Sequence, residues 1–257
     1  MKTSSNSAVY VYGILRSARR PRMSGAPRGV PEGRAPELQD VAGGMWLVTS
    51  IVPLDVYGPA NLEPRLRDLD WVARVAVAHE AINEFFARAA GTVVPMTLFT
   101  MFSSIEIALQ DVRGRRTTID RVMRHVAGCE EWAIRVTRRP VVVDTGGSSR
   151  PTTGVGFLHA QKAARDATAS ARSAALDAAD AAFERLKRMS KDARRRHRGP
   201  ESGTTPPILE AAFLVRQGAR TKFKAEARRQ APILAKAGAD VALTGPWPAY
   251  SFVGEEA

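Results

Sequence analysis

The chain has 257 residues, of which 44% are hydrophobic, and its 38 Lys and Arg against 26 Asp and Glu give a formal charge of +12. This length predicts two domains, and the apolar fraction is ordinary for a soluble globular protein. No run of 18 apolar residues occurs, and the first residues contain no apolar core of a signal peptide. We therefore expect a cytoplasmic protein that does not insert into a membrane.

In the first half, two periodicities alternate along the chain. Residues 8–14 alternate β-branched and aromatic side chains, which predicts a strand, and Arg16 to Gln39 is rich in Arg, Pro and Gly, which predicts a loop with room for one short strand. Apolar residues at three- and four-residue spacing predict helices, the first capped by Asp70 and the second by Ser104. The elements predicted here are strands at 8–14 and 45–52 and helices at 70–90, 104–111 and 117–126.

The second half predicts strands at 131–138, 208–215 and 240–244, and helices at 157–198 and 217–237. The first of these helices is rich in alanine. Its inward face is predicted to be a stripe of small residues: Ala160, Ala164, Ala167, Ala171, Ala174, Ala178, Ala181 and Phe183. We interpret this succession of strands and helices as a ferredoxin-like α+β sandwich.

The C-terminal segment from Thr244 to Val253 combines two prolines with three large rings, Trp247, Tyr250 and Phe252. Proline fixes φ and lacks a backbone N–H, so we expect a stiff, extended segment rather than a helix end or a regular strand. Two interpretations are open. The segment covers a core edge of its own domain, or it is a docking peptide for another protein.

Four segments together resemble the gas vesicle F/L protein family, GvpL/GvpF. Val9–Ile14 is similar to the first strand of that family, residues 75–102 to its central helix and the loop after it, and Glu210–Val215 to the strand before its last helix. The segment Thr244–Val253 resembles its closing signature. The resemblance implies a non-enzymatic accessory protein of gas vesicle assembly. It would associate with the vesicle and bind the small hydrophobic shell protein and other accessory proteins as a nucleation or chaperone-like factor.

The same resemblance implies a domain boundary near Gly128. The predicted organisation is an N-terminal α+β domain, 1–128, and a C-terminal ferredoxin-like domain, 129–257, with a long helix and an extended tail at 245–257. Residues 144–154 are rich in Gly, Ser and Thr, which is typical of a flexible linker.

The catalytic and metal-binding motifs that we considered are incomplete or missing in this sequence. His79 and Glu80 begin a pattern like the zinc-protease helix, but Asn83 stands where the second histidine is needed. The four histidines lie in four different segments, and no phosphate-binding Gly-Lys-Ser/Thr loop occurs. We therefore expect no catalytic residues, no metal and no cofactor.

A carrier of an aggregation-prone shell protein needs an apolar groove with a charged rim. We predict that this groove lies under Trp247, Tyr250 and Phe252. The predicted rim consists of Arg220, Lys224 and Arg228 on the last helix.

The alternative function is a basic nucleic-acid-binding module that uses the Arg-rich helix end at 187–198. The competing interpretation is a solvated helix terminus, where cations also complement the helix dipole. Aromatic residues that could stack bases do not interleave with this basic run, which favours the second interpretation.

Overall fold

The computed structural model describes residues 6–139, 154–196 and 206–253, and the chain divides into two compact units. The N-terminal unit comprises Met1–Glu131 together with Trp247–Ala257, and the C-terminal unit comprises Trp132–Pro246. Both units combine a β-sheet with helices, so the predicted α+β class with two domains is confirmed. None of the described helices is both long enough and apolar enough to cross a membrane.

The sheet of the N-terminal unit contains β1 (Ser7–Arg16), β2 (Glu37–Ala42), β3 (Met45–Pro53), β4 (Thr92–Pro95) and β5 (Met101–Phe102). The strand order is β2-β3-β1-β4, and β5 also pairs with β1. The central strand β1 is buried from Ala8 to Leu15. Its register against β3 shifts between Val11 and Gly13, which is a β-bulge.

The helices of the same region are α1 (Leu54–Tyr57), α2 (Pro59–Arg65), α3 (Leu69–Ala90), α4 (Ile105–Gly114) and α5 (Arg116–Val126). Ser104 caps α4 as predicted, since its hydroxyl accepts a hydrogen bond from the N–H of Ile107. The cap predicted for α3 is wrong. Asp68 is the N-cap, because its backbone is extended and its carboxylate accepts from the N–H of Trp71, whereas Asp70 is already helical.

The core of the N-terminal unit forms where α3 packs against the sheet. The buried face of α3 carries Trp71, Val75, Ile82 and Phe86 at helical spacing, as the sequence predicts. Burial of each side chain of this size contributes about 1.5–3 kcal/mol relative to exposure.

The C-terminal unit contains β6 (Cys129–Arg138) from Trp132 onwards, α6 (Gly154–Lys187), β7 (Asp192–Arg195), β8 (Pro207–Arg216), α7 (Arg220–Lys236) and β9 (Ala239–Trp247) as far as Pro246. Along the chain the order is strand, helix, strand, strand, helix, strand, and in the sheet the strand order is β7-β8-β6-β9. This is the ferredoxin-like arrangement that the sequence predicts.

The long helix differs from its prediction in length. α6 ends at Lys187, and residues 192–195 form β7, which pairs antiparallel with β8. The backbone of Lys191 donates to Leu214 and that of Arg196 to Glu210, so strand pairing replaces the last predicted helical turns. His197 and Arg198 lie outside the described residues.

The inward face of α6 also differs from the prediction, by one residue. Its buried side chains are Ala175, Ala179, Ala182, Phe183 and Leu186. The predicted Ala164, Ala167 and Ala171 are exposed, and the side chain of Ala160 is outside the described part. Most of linker 144–154 is likewise outside it, and Gly154 already begins α6.

The C-terminal segment is not extended throughout. β9 continues to Trp247 and includes Pro246, which an edge strand tolerates because one row of its N–H groups has no ladder partner. Tyr250–Val253 then form a short helix, α8, which contacts α5 and β4. The residues from Trp247 onwards therefore pack with the N-terminal unit, whereas the sequence placed them with the second domain.

Candidate functional site around the C-terminal segment

The three rings of the C-terminal segment differ in accessibility. Phe252 is 3% exposed and neighbours the buried Val253, Tyr250 is half-buried, and Trp247 is 39% exposed. Phe252 and Tyr250 thus fill space within their own unit, and this burial fits the interpretation that the segment covers a core edge. Among these rings, Trp247 offers the largest exposed fraction to a partner.

Tyr250 lies among polar side chains of α3. Its hydroxyl accepts a hydrogen bond of 3.0 Å from Nδ2 of Asn83, which also donates to the carbonyl of Tyr12 at 3.1 Å. Tyr250 in turn donates to Glu80. Burial, reinforced by the Glu80 charge, raises the pKa of Tyr250, so the phenol stays protonated and able to donate.

Glu80 experiences the same desolvation. Burial raises the pKa of its carboxyl group, and the hydrogen bond from Tyr250 opposes this rise. The carboxylate of Glu131 holds the next residue of α8, since it accepts from the N–H of Ser251 at 2.7 Å and from the Ser251 hydroxyl at 2.8 Å.

His79 is a buried core histidine. Its Nε2 lies 3.1 Å from the carbonyl oxygen of Met96, which can only accept, so Nε2 carries the proton. Nδ1 then accepts from the Tyr10 hydroxyl at 2.9 Å. Burial lowers the pKa of His79 to about 4, and the ring is neutral at pH 7. Both nitrogens are engaged, and the described residues contain no group of three or more His, Cys, Asp or Glu suited to a metal ion.

Tyr10, His79, Glu80, Asn83 and Tyr250 form a polar cluster that was not predicted from the sequence. A signal for part of it was present. His79 and Asn83 are one helical turn apart and fall on the side of α3 that carries Val75 and Ile82, so two polar residues on an apolar face mark a buried hydrogen-bonding position.

The predicted rim lies in the other unit. Arg220 and Arg228 are exposed on α7, and the Nζ of Lys224 lies 5.5 Å from the centre of the Trp132 ring. The three rings belong to the N-terminal unit and the three basic residues to the C-terminal unit. The structure therefore does not bring the six predicted residues together within one unit.

The Arg-rich segment is not a helix end. Arg195 is in β7, its Nη1 is 2.7 Å from Oδ1 of Asp180, and its guanidinium lies 4.3 Å from the centre of the Phe183 ring. Part of this basic run is therefore paired within the C-terminal unit.

An apolar stripe faces outward from α3. Leu69 is 77% exposed and Val77 is 70% exposed, with exposed Ala73 between them. A spacing of four residues places all three on one face, opposite the buried Val75. We call these three residues the α3 apolar stripe.

The comparisons with known proteins agree over nearly the whole chain. The family model described as gas vesicle synthesis protein GvpL/GvpF matches residues 8–254. Gas vesicle protein L from Streptomyces sp. (strain CB03234) is 30% identical over 227 residues, which cover 82% of this chain and 81% of that protein.

Two solved structures have a similar fold. GvpF from Anabaena sp. PCC7120 matches with a TM-score of 0.67 at 14% identity, over 96% of each chain. GvpF from Microcystis aeruginosa matches with a TM-score of 0.62 at 12% identity, over 96% of this chain and 98% of that one. At these identities the likeness establishes the fold, and the sequence match establishes the family. The chain belongs to the gas vesicle synthesis protein family GvpL/GvpF.

Proposed function

We propose that this protein is a non-enzymatic, cytoplasmic accessory factor of gas vesicle assembly that binds the small hydrophobic shell protein through the α3 apolar stripe. Its role is that of a chaperone or nucleation factor, which covers apolar surface of the shell subunit until that subunit is placed in the wall. Membership of the family supports a role in gas vesicle assembly. The exposed stripe is the observation that supports the contact.

The physical reason lies in the amount and the arrangement of exposed apolar surface. Single exposed apolar side chains are common on soluble proteins and call for no partner. Leu69, Ala73 and Val77 instead repeat at one-turn intervals on one face, so they present a continuous apolar strip. Recognition of an amphipathic helix by another apolar surface uses this spacing.

The residues that the sequence predicted to bind partners are also part of this proposal. Trp247 in the N-terminal unit, and Arg220, Lys224 and Arg228 in the C-terminal unit, are candidate contacts for other accessory proteins. Tyr250 and Phe252 support the shape of the N-terminal unit in this proposal, because their rings are occupied within it.

The experiment is co-expression of the tagged chain with the major shell protein, followed by co-purification across a salt series with nuclease treatment. We expect retention at high salt, since apolar contacts are not screened. The variant Leu69→Lys/Val77→Lys should lose most of the shell protein. Ile233→Lys is the control, since Ile233 is an exposed apolar residue on α7.

Equal retention by Leu69→Lys/Val77→Lys and wild type would refute the assignment of the stripe. Capture at low salt alone, with nucleic acid in the eluate, would refute shell binding and favour the nucleic-acid alternative.

A further inference from the structure

We propose that the C-terminal unit binds an acidic segment of a protein partner in a groove formed by Arg138, Arg165 and Arg172. This groove has a volume of about 490 Å³ and lies between the end of β6 and the N-terminal half of α6. Gln161, Ala164 and Thr168 also line it. We call it the arginine groove. It involves neither the α3 apolar stripe nor the C-terminal segment, and it does not depend on the proposed function.

The charges in the arginine groove are not neutralised within the described part of the chain. No carboxylate in residues 6–139, 154–196 or 206–253 forms an ion pair with any of its three arginines. Nearby arginines are paired. Arg139 binds Asp240 through two guanidinium nitrogens, and Arg135 lies 3.3 Å from Glu210. The groove therefore concentrates unpaired positive charge at one concave place, where its field attracts anionic groups.

The described part of the helix that forms one wall has no fully buried side chain in this region. Between residues 155 and 174 no described side chain of α6 is buried, and burial begins at Ala175. Helices in proteins are stabilised mainly by packing of one face, and a helix without a buried face often bridges to another body. The exposed half of α6 is thus a free surface next to the groove.

The lining favours a protein segment over nucleic acid. A guanidinium group presents a planar set of donors that matches a carboxylate with two parallel hydrogen bonds. Ala164 adds a methyl group, and Thr168 and Gln161 add polar groups for the backbone of a peptide. The described lining has no aromatic ring on which a base could stack. The depression is open to solvent, so it suits a few side chains of a segment that lies along α6.

The test measures binding of a fluorescein-labelled peptide of alternating glutamate and alanine to the full chain by fluorescence anisotropy, at low and at physiological salt. We expect wild type to bind, and Arg138→Gln/Arg165→Gln/Arg172→Gln to bind at least about tenfold more weakly. The control Arg188→Gln/Arg216→Gln/Lys236→Gln removes the same charge from exposed positions outside the groove, and its affinity should stay within about twofold of wild type.

A polyuridine oligonucleotide serves as competitor. The proposal is overturned if wild type does not bind the peptide, or if both triple variants lose affinity equally, because net charge alone then explains binding. It is also overturned if polyuridine binds more tightly than the peptide and loses affinity only in the groove variant, which would make the groove a nucleic-acid site. Circular dichroism checks folding. If the triple variant does not fold, Arg165→Gln/Arg172→Gln on the exposed helix replaces it, with the same readouts.

Discussion

Ser251 donates two hydrogen bonds to the carboxylate of Glu131, from its backbone N–H at 2.7 Å and from its hydroxyl at 2.8 Å. Glu131 is 1% exposed, and a buried carboxylate requires such donors. The interaction holds α8 against the N-terminal unit. It joins residues 120 positions apart, which no local sequence pattern encodes.

Loss of this carboxylate should destabilise the N-terminal unit. Glu131→Ala leaves the N–H of Ser251 without this acceptor, and we expect a loss of about 1–3 kcal/mol in the free energy of unfolding. Ser251→Ala removes only the hydroxyl bond and should cost about 1 kcal/mol. Urea unfolding followed by tryptophan fluorescence measures both. A Glu131→Ala midpoint equal to that of wild type would show that the contact adds nothing to stability.

Two rings of the same segment should respond differently to truncation. Phe252→Ala removes a buried ring and should cost about 3–5 kcal/mol, whereas Trp247 is 39% exposed and Trp247→Ala should cost much less. Thermal unfolding ranks the two variants. If Trp247→Ala folds like wild type, any loss of captured protein reflects the loss of a binding contact rather than of the fold. If this variant retains every accessory protein that wild type captures, Trp247 has no role as a contact.

Gly13 packs against the polar cluster. A Cβ atom there would lie 2.6 Å from Oδ1 of Asn83 and 3.0 Å from the carbonyl oxygen of Val94, so alanine forces Asn83 or the backbone of β4 to move. We expect Gly13→Ala to cost about 1–3 kcal/mol. Gly114→Ala is the matched control, since a Cβ there meets no atom within 4 Å in the described structure. The control should be neutral or stabilising by up to about 1 kcal/mol. Chemical denaturation of both variants tests this, and a Gly13→Ala protein as stable as the control would contradict the packing.

Acid should weaken the N-terminal unit through His79. Burial lowers its pKa from 6.5 to about 4, so below pH 6.5 the unfolded chain binds a proton that the folded chain does not. Stability is thus lost as pH falls from 6.5 towards 4, by up to about 3 kcal/mol at ~1.4 kcal/mol per pH unit. Glu80 acts in the opposite direction, because its raised pKa in the folded chain favours folding at low pH.

The measurement for His79 is the unfolding free energy of wild type and His79→Gln at several pH values between 7 and 4. The variant should be less stable at pH 7, since it loses hydrogen bonds to Tyr10 and Met96. Its unfolding free energy should also decrease less steeply than that of wild type as the pH falls from 7 to 4. Parallel curves for the two proteins would exclude His79 as the source of the acid sensitivity.

Local patterns predicted much of the fold. The β-branched alternation around Val11 marked β1, and helical spacing marked α3 with its buried Val75. The order of elements after Gly128 indicated the ferredoxin-like arrangement, although the predicted elements lacked β7. Errors arose where a short element depends on a distant partner. β7 exists because β8 supplies its hydrogen bonds, whereas its arginines and the alanines before it favour a longer helix.

The candidate site was less predictable. Its aromatic residues were found from composition and spacing, because large rings on a proline-rich segment need a surface to cover. The sequence could not say which surface that is. Tyr250 meets Asn83 at the helix α3, and Phe252 is buried in the same unit, although the chain reaches them from the C-terminal unit.

The sequence by itself determined the periodicities and the family, because these depend on side chains one or two turns apart or on short motifs. Only the tertiary structure decided that Glu131 accepts hydrogen bonds from Ser251, that His79 is neutral, and that Arg138 shares a groove with Arg165. Each of these depends on burial or on contacts between residues far apart in the chain. Such contacts form only when the whole chain offsets its loss of conformational entropy by packing.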